Sequence, residues 1–231
     1  EALDRWTGGN AARSGDIAPF ISWLSRTGRY PGLHVERGKM AKPSEISDAE
    51  EHHALIRSFI AGSDETANLT TRVAALLVLL YGARIDRIHR LTTADTSTVG
   101  ERTYLTLAAE PIEIPSPVAG LLARLVADAE RDPRALRRDS EGSYLFVSPR
   151  RHHEPIHPTT LGRWMARAGV SPRIARNYAM LALTSDLPAA VVATQVGITA
   201  QAAGRWAQFA QRDSVEYIVA RARTPTREGL L

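Results

Sequence analysis

Guanidinium is the reactive group this sequence holds in excess. The chain of 231 residues carries 27 arginines and only two lysines, Lys39 and Lys42. A guanidinium is a planar fork of donors that matches two phosphate oxygens at once. A surface on which arginines converge is therefore a phosphate-binding surface. The same Arg-over-Lys bias also arises from a GC-rich genome with no function attached, and composition alone gives that account more weight. The formal net charge of +4 supports nucleic-acid binding only weakly. Cysteine is absent, which excludes disulfides, thiolate catalysis and cysteine-ligated zinc and favours an intracellular setting. His152-His153-Glu154 with His157 is a cluster of metal-ligating types. Its spacing matches no zinc pattern, and histidines in a Pro-rich loop are more often solvated, so no metal and no other cofactor is expected.

Helices must position these groups. Asp16–Arg29 reads as a helix with Asp16 as cap, Pro19 in the first turn, and Phe20, Ile21, Trp23 and Leu24 on its apolar face. Gly28 is placed to stop it. Tyr30–Pro43 turns to Pro, Gly and basic residues, and Arg37, Lys39 and Lys42 mark it as an interdomain linker. Ser47-Asp48-Ala49-Glu50 predicts a capping box, with Ser47 as cap and Glu50 as partner, opening a helix to about Ala61. Leu69–Tyr81 is a buried helix. Its apolar run, Val73–Leu80, is too short to span a bilayer, and no membrane partner is expected. A short helix follows over Arg84–Leu91, and Asp95 begins a loop.

Thr103–Leu107 and Ile112–Ile114 read as strands joined through Ala108-Ala109-Glu110-Pro111. Pro117–Ala129 is helical, Arg131–Gly142 is a charged loop, and Tyr144–Val147 is a short strand. Everything after Thr159 reads as helix, broken near Gly169–Pro172, Ser185–Pro188 and Gly197–Thr199. The class is mainly α with a small antiparallel β-sheet. Ala193–Thr199 through Trp206 also reads as a helix-turn-helix.

Tyr81-Gly82-Ala83-Arg84-Ile85-Asp86-Arg87 resembles the segment that follows a buried helix in tyrosine recombinases of the phage-integrase family. There it reads Thr-Gly-Leu-Arg and closes on an acid. The other parts follow in order. Tyr144–Ser148 resembles the family's short Leu-Phe strand. Arg173-Ile174-Ala175-Arg176 aligns with its His-x-x-Arg box, and Val196-Gly197-Ile198-Thr199 with its Leu-Gly-His-Ser box. Asp16–Gly28 resembles the last helix of the core-binding domain. The resemblance implies a tyrosine-recombinase catalytic-domain fold over residues 43–231. Residues 1–42 would be the remnant of a core-binding domain plus linker, and a chain starting at Glu1 is expected to be a piece of a longer protein.

The family's reaction is phosphoryl transfer through a tyrosine–DNA link. A tyrosine hydroxyl attacks, two arginines hold the non-bridging oxygens, and a lysine and histidines move protons. The resemblance assigns the two arginines to Arg84 and Arg176. Asp86 stands one place early, and Arg87 occupies the position of the acid. The hairpin lysine is missing, since no lysine follows Lys42. The box histidine is Arg173, the later one is Ile198, and no histidine follows His157. The nucleophile should fall near Trp206 or Ala207, and the indole of Trp206 has no hydroxyl. Tyr217 lies about three helical turns beyond that place.

The resemblance thus implies an intracellular protein, cytoplasmic and associated with the bacterial nucleoid, that grips double-stranded DNA and has lost strand cleavage. Arg37, Lys39, Lys42, Arg84, Arg102, Arg173, Arg176 and Arg205 would form its DNA-facing set. A homo-oligomer or a recombinase partner on DNA is the expected company. Two alternatives stay open: an active recombinase using Tyr217 or a tyrosine in trans, and a protein-interaction module on the same fold.

Overall fold

The computed structural model describes residues 20–28, 46, 48–63, 65–132, 142–151 and 154–223, with side chains on the final helix described as far as residue 211. The chain divides into two compact units, residues 1–44 and 45–231. In the first unit residues 20–26 are helical and Gly28 ends the turn with φ 72°. Ile21 is buried there, whereas Phe20 and Trp23 are exposed and stack on each other at 6.1 Å. The expected apolar face is narrower than four residues. Asp16, Pro19 and the linker with Arg37, Lys39 and Lys42 lie outside the described residues.

The second unit is built around one apolar helix. Helix α1 (Ala49–Ala61) is capped by Asp48, whose carboxylate accepts from the Glu50 and Glu51 amides. The cap is thus one residue later than the capping box predicts, and Ser47 is outside the described residues. Helix α2 (Leu69–Tyr81) starts at Asn68, whose side chain accepts from the Thr71 amide at 2.9 Å. Val73 through Leu79 are all buried. A helix apolar all round must be covered on every side, and α2 packs against α1 and three later helices, α4, α5 and α6. Each fully buried Val or Leu contributes about 1.5–3 kcal/mol, so this run dominates the stability of the unit.

A single-turn helix α3 (Ile85–Ile88) follows, shorter than the predicted Arg84–Leu91. A 3₁₀ turn, Thr93–Asp95, then leads into a three-stranded antiparallel sheet of β1 (Thr96–Val99), β2 (Arg102–Thr106) and β3 (Pro111–Ile114), in that order. Leu105 pairs Thr96 on one side and Ile112 on the other. β1 was not foreseen, because Asp95 was expected to open a loop. It is a polar edge strand with three of its four residues exposed, so it lacks the alternating apolar pattern that marks a half-buried strand. Tyr144–Val147 is not a strand but two isolated bridges, Thr92 to Tyr144 and Val147 to Pro155.

Helices α4 (Ser116–Arg131), α5 (Pro158–Arg167) and α6 (Pro172–Asp186) each carry proline in the first turn, where its missing N–H leaves no bond unmade. Helices α7 (Ala189–Val196) and α8 (Ala200–Arg223) meet at Gly197, with φ 74°. The breaks fall where the sequence predicts. A second apolar cluster, Met180, Val192, Trp206 and Phe209, joins α6, α7 and α8.

Two buried histidines are expected to make the stability pH-dependent. His52 shares a 2.9 Å hydrogen bond between Nε2 and the Leu79 carbonyl, and its ring lies 4.1 Å from Tyr178. That bond makes Nε2 the donor, so Nδ1 is unprotonated; it is buried without a partner among the described residues, as is Nδ1 of His89. Burial lowers the pKa of His52, opposed by the Leu79 bond and reinforced by His53. Burial also lowers that of His89, with Arg90 and His157 acting the same way and Asp86 and the Ile156 backbone opposing. Below the ordinary value of 6.5 the unfolded chain takes up protons that the folded chain refuses. Stability is therefore full above that pH and declines as the pH falls through it toward the lowered folded values. Urea midpoints are expected to drop from pH 7.5 to 5.5, and His52→Gln, which keeps a donor for Leu79 without titrating, should flatten part of the drop. Equal midpoints at the two pH values would contradict this.

Candidate nucleic-acid interface

Gly82 organises the site. It ends α2 in the left-handed region with φ 58°, and its N–H returns to the Leu77 and Val78 carbonyls. A Cβ there would also meet Sδ of Met180 at 3.0 Å. The turn leads through buried Ala83 to Arg84, the N-cap residue of α3. Arg176, on α6, donates from Nε to the Gly82 carbonyl at 2.8 Å. Two arginines far apart in the chain are thereby brought to one turn. Arg176 is half-buried and Arg84 exposed. Burial lowers the Arg176 pKa, and the positive charge of Arg84 lowers it further. The Gly82 carbonyl thus ties Arg176 to the same turn that carries Arg84.

Two adjacent cations, one partly desolvated, form a field that an anion relieves. Arg84 also pairs with Asp86 at 3.2 Å, but both side chains are mostly exposed. An exposed pair of that kind contributes about 0–1 kcal/mol, too little to hold Arg84 against a phosphate. The displaced acid therefore leaves Arg84 available.

The remaining predicted residues scatter. Arg173 is exposed one turn before Arg176 on the same face of α6. Arg205 is half-buried on α8. Arg102 stands opposite Val99, at the β1–β2 end of its strand, and pairs with Glu113 at 3.4 Å. The β2–β3 tip is the other end of that strand, so Arg102 does not replace a basic residue there. Tyr217 is on α8, about three turns beyond Trp206, and its side chain lies outside the described residues. Trp206 itself is buried against Phe209, edge to face at 6.0 Å.

Tyr81 is the phenol nearest to Arg84 in sequence, but its hydroxyl donates to the Glu113 carbonyl at 3.3 Å. Burial pushes its pKa up to about 12, so it stays a neutral donor. His157 caps α5 by accepting the Thr159 amide on Nδ1, and Arg151 pairs with Glu154 at 3.1 Å. His152 and His153 lie outside the described residues, and no group of three metal-ligating side chains occurs among the described ones.

Arg87 was missed as a working part. It donates from Nε to the Leu107 carbonyl at 2.7 Å, and from Nη2 to the Thr106 carbonyl at 3.1 Å and to Asp95 at 3.0 Å. The sequence signal was a cation where an acid is expected. Arg72 is structural in a similar way, bonding the Phe59 and Ile60 carbonyls at the end of α1. Arginine abundance is thus partly spent on holding carbonyls.

This arrangement has the fold of the tyrosine-recombinase catalytic domain. The chain is similar to XerH site-specific recombinase in a post-cleavage complex with palindromic difH substrate, with a TM-score of 0.60 at 14% identity over 94% of this chain and 69% of that one. It is similar to the Tn1549 transposon integrase in complex with transposon right end DNA, with a TM-score of 0.57 at 13% identity over 90% and 78% of the two chains. It is also similar to XerA recombinase, with a TM-score of 0.53 at 16% identity over 90% and 82%. No protein-family model and no curated protein matches the sequence. Identities this low define the fold and no more. Among the described residues no helix is long and apolar enough to cross a membrane.

Proposed function

We propose that this chain is a DNA-binding protein on a tyrosine-recombinase fold that grips duplex DNA through a paired phosphate site and no longer cuts it. The observation that carries the reading is the 2.8 Å bond from Arg176 to the Gly82 carbonyl, which ties Arg176 to the turn that carries Arg84. Arg84 and Arg176 take the phosphate, and Arg173 flanks them on α6. Arg205 on α8, Arg102 on the sheet, and Arg37, Lys39 and Lys42 of the segment before residue 43 add weaker contacts to the DNA backbone. The loss of cleavage is supported by the side chains themselves. An arginine will not release a proton near neutral pH as a lysine or histidine can, and neither Trp206 nor Ala207, near which the nucleophile is expected, carries a hydroxyl. The solved relatives include a lambda integrase dimer bound to a core site. A homo-oligomer or a recombinase partner on DNA fits the same reading, as does an intracellular place on the bacterial nucleoid.

The test is duplex binding as a function of salt. Affinity should fall steeply as salt rises, with a log–log slope of about −0.9 for each phosphate engaged. On a nicked suicide duplex no covalent protein–DNA adduct should form. No binding to any duplex at low salt removes the reading, and an adduct that Tyr217→Phe abolishes replaces it with an active recombinase.

A further inference from the structure

Helix α3 is one turn long, and a single turn does not hold its own orientation. Arg84 sits at its N-cap position with no side-chain capping bond. The direction in which Arg84 is presented therefore depends on what fastens α3 to the rest of the unit. Ile88 is buried on one side. On the other, the Arg87 guanidinium spans three acceptors: the Leu107 and Thr106 carbonyls at the end of β2, and Oδ1 of Asp95. Asp95 is itself fixed, because Oδ2 accepts the Thr92 amide at 2.8 Å and the Thr92 hydroxyl at 3.1 Å. The tip beyond Leu107 is also seated. The Ala109 amide donates to the Thr194 carbonyl of α7 at 3.3 Å. Ala108 lies so close to Gly197 that a Cβ on that glycine would come within 2.9 Å of it. The hairpin thus runs as a strap from α3 to the α7–α8 turn.

We propose that Arg87 is a positioning residue for the phosphate site. It locks α3 and the β2–β3 hairpin into one body, so that Arg84 meets DNA already oriented. The proposal rests on the reading of Arg84 as a phosphate ligand. Its rival is that Arg87, whose side chain is 40% exposed, contacts DNA directly.

The two give opposite signs at Asp95. Asp95→Asn keeps an acceptor for Thr92 but takes away the charged acceptor of Arg87. If Arg87 positions Arg84, this change lowers duplex affinity several-fold; if Arg87 binds phosphate, removing a nearby negative charge raises it. A rise overturns the proposal. In an Arg84→Ala background, Arg87→Met should add no further loss, since the two act as one unit; full additivity also overturns it. Arg87→Lys keeps the charge without the three-way fork and should behave like Arg87→Met. Amide exchange in the DNA-free protein supplies the independent arm. Arg87→Met and Arg87→Lys should speed exchange across residues 106–110 by about tenfold, the consequence of freeing a local opening. Unchanged exchange rejects the strap. If the wild-type chain binds no duplex, the proposed function fails, and the exchange result still decides whether Arg87 holds the hairpin.

Discussion

Replacing Arg84 and Arg176 together by alanine is expected to weaken duplex binding by about a hundredfold or more near 0.1 M salt. Each charge-assisted bond to a phosphate contributes about 1.5–3 kcal/mol net, and two such groups on one phosphate site reach that loss without any other contact. The log–log salt slope should flatten by about 0.9, the share of the one phosphate that the pair engages. The single variants separate binding from folding. Arg84 is exposed and, among the described residues, paired only with Asp86, so Arg84→Ala should leave the urea midpoint where it was while affinity falls. Arg176→Ala also strips a partner from the Gly82 carbonyl and should cost about 1–3 kcal/mol of stability besides. Arg176→Lys keeps the charge but loses the Nε bond that aims it, and is expected to bind closer to the alanine variant than to wild type. Anisotropy titrations at several salt concentrations, with denaturation run alongside, decide the matter. If neither single variant nor the pair moves affinity or slope, the fold serves a protein contact instead.

The convergence of those two arginines was legible in the sequence only through resemblance to a known family. Periodicity places Arg84 after a buried helix and Arg176 on a later one, and says nothing about a bond between α6 and the turn after α2. The apolar run of α2 was legible, because seven consecutive buried residues, Val73–Leu79, admit no exposed face. The breaks before α6, α7 and α8 were legible because Gly and Pro impose backbone geometry locally. β1 was not, because an edge strand facing solvent needs no apolar alternation. Arg87 was not, because its three partners come from the ends of other elements. The place of Arg102 in its strand was not legible either, because only the register, with Val99 opposite Arg102, puts it at the β1–β2 end.

Trp206→Tyr is expected to restore no DNA cleavage, and Trp206→Ala to cost about 3–5 kcal/mol of stability. Trp206 is 7% exposed and packs with Met180, Val192 and Phe209 where α6, α7 and α8 meet. A nucleophile has to stand in the cleft beside the phosphate with its oxygen within about 3–3.5 Å of the reacting atom. An aromatic at this depth serves instead to fasten the last helix to the rest of the unit. A tyrosine here would bury a hydroxyl in an apolar cluster, at a cost of about 1–3 kcal/mol if it found no partner. Were the phenol nevertheless to reach the phosphate, the proposed reading gives it two cations to steady the charge but neither the lysine nor the histidines that move protons in the family. On the proposed alignment Arg173 and Ile198 stand where the recombinase boxes carry histidine, and no lysine follows Lys42. Phosphate binding and phosphate cleavage are separable for this reason: the first needs only fixed positive charge, whereas the second needs a group that changes protonation during the reaction. Denaturation of Trp206→Ala and suicide-duplex trapping with Trp206→Tyr measure the two halves of the claim. A covalent adduct formed by Trp206→Tyr would mean that the site lacks a nucleophile alone, and that the proton-transfer groups have been replaced rather than lost.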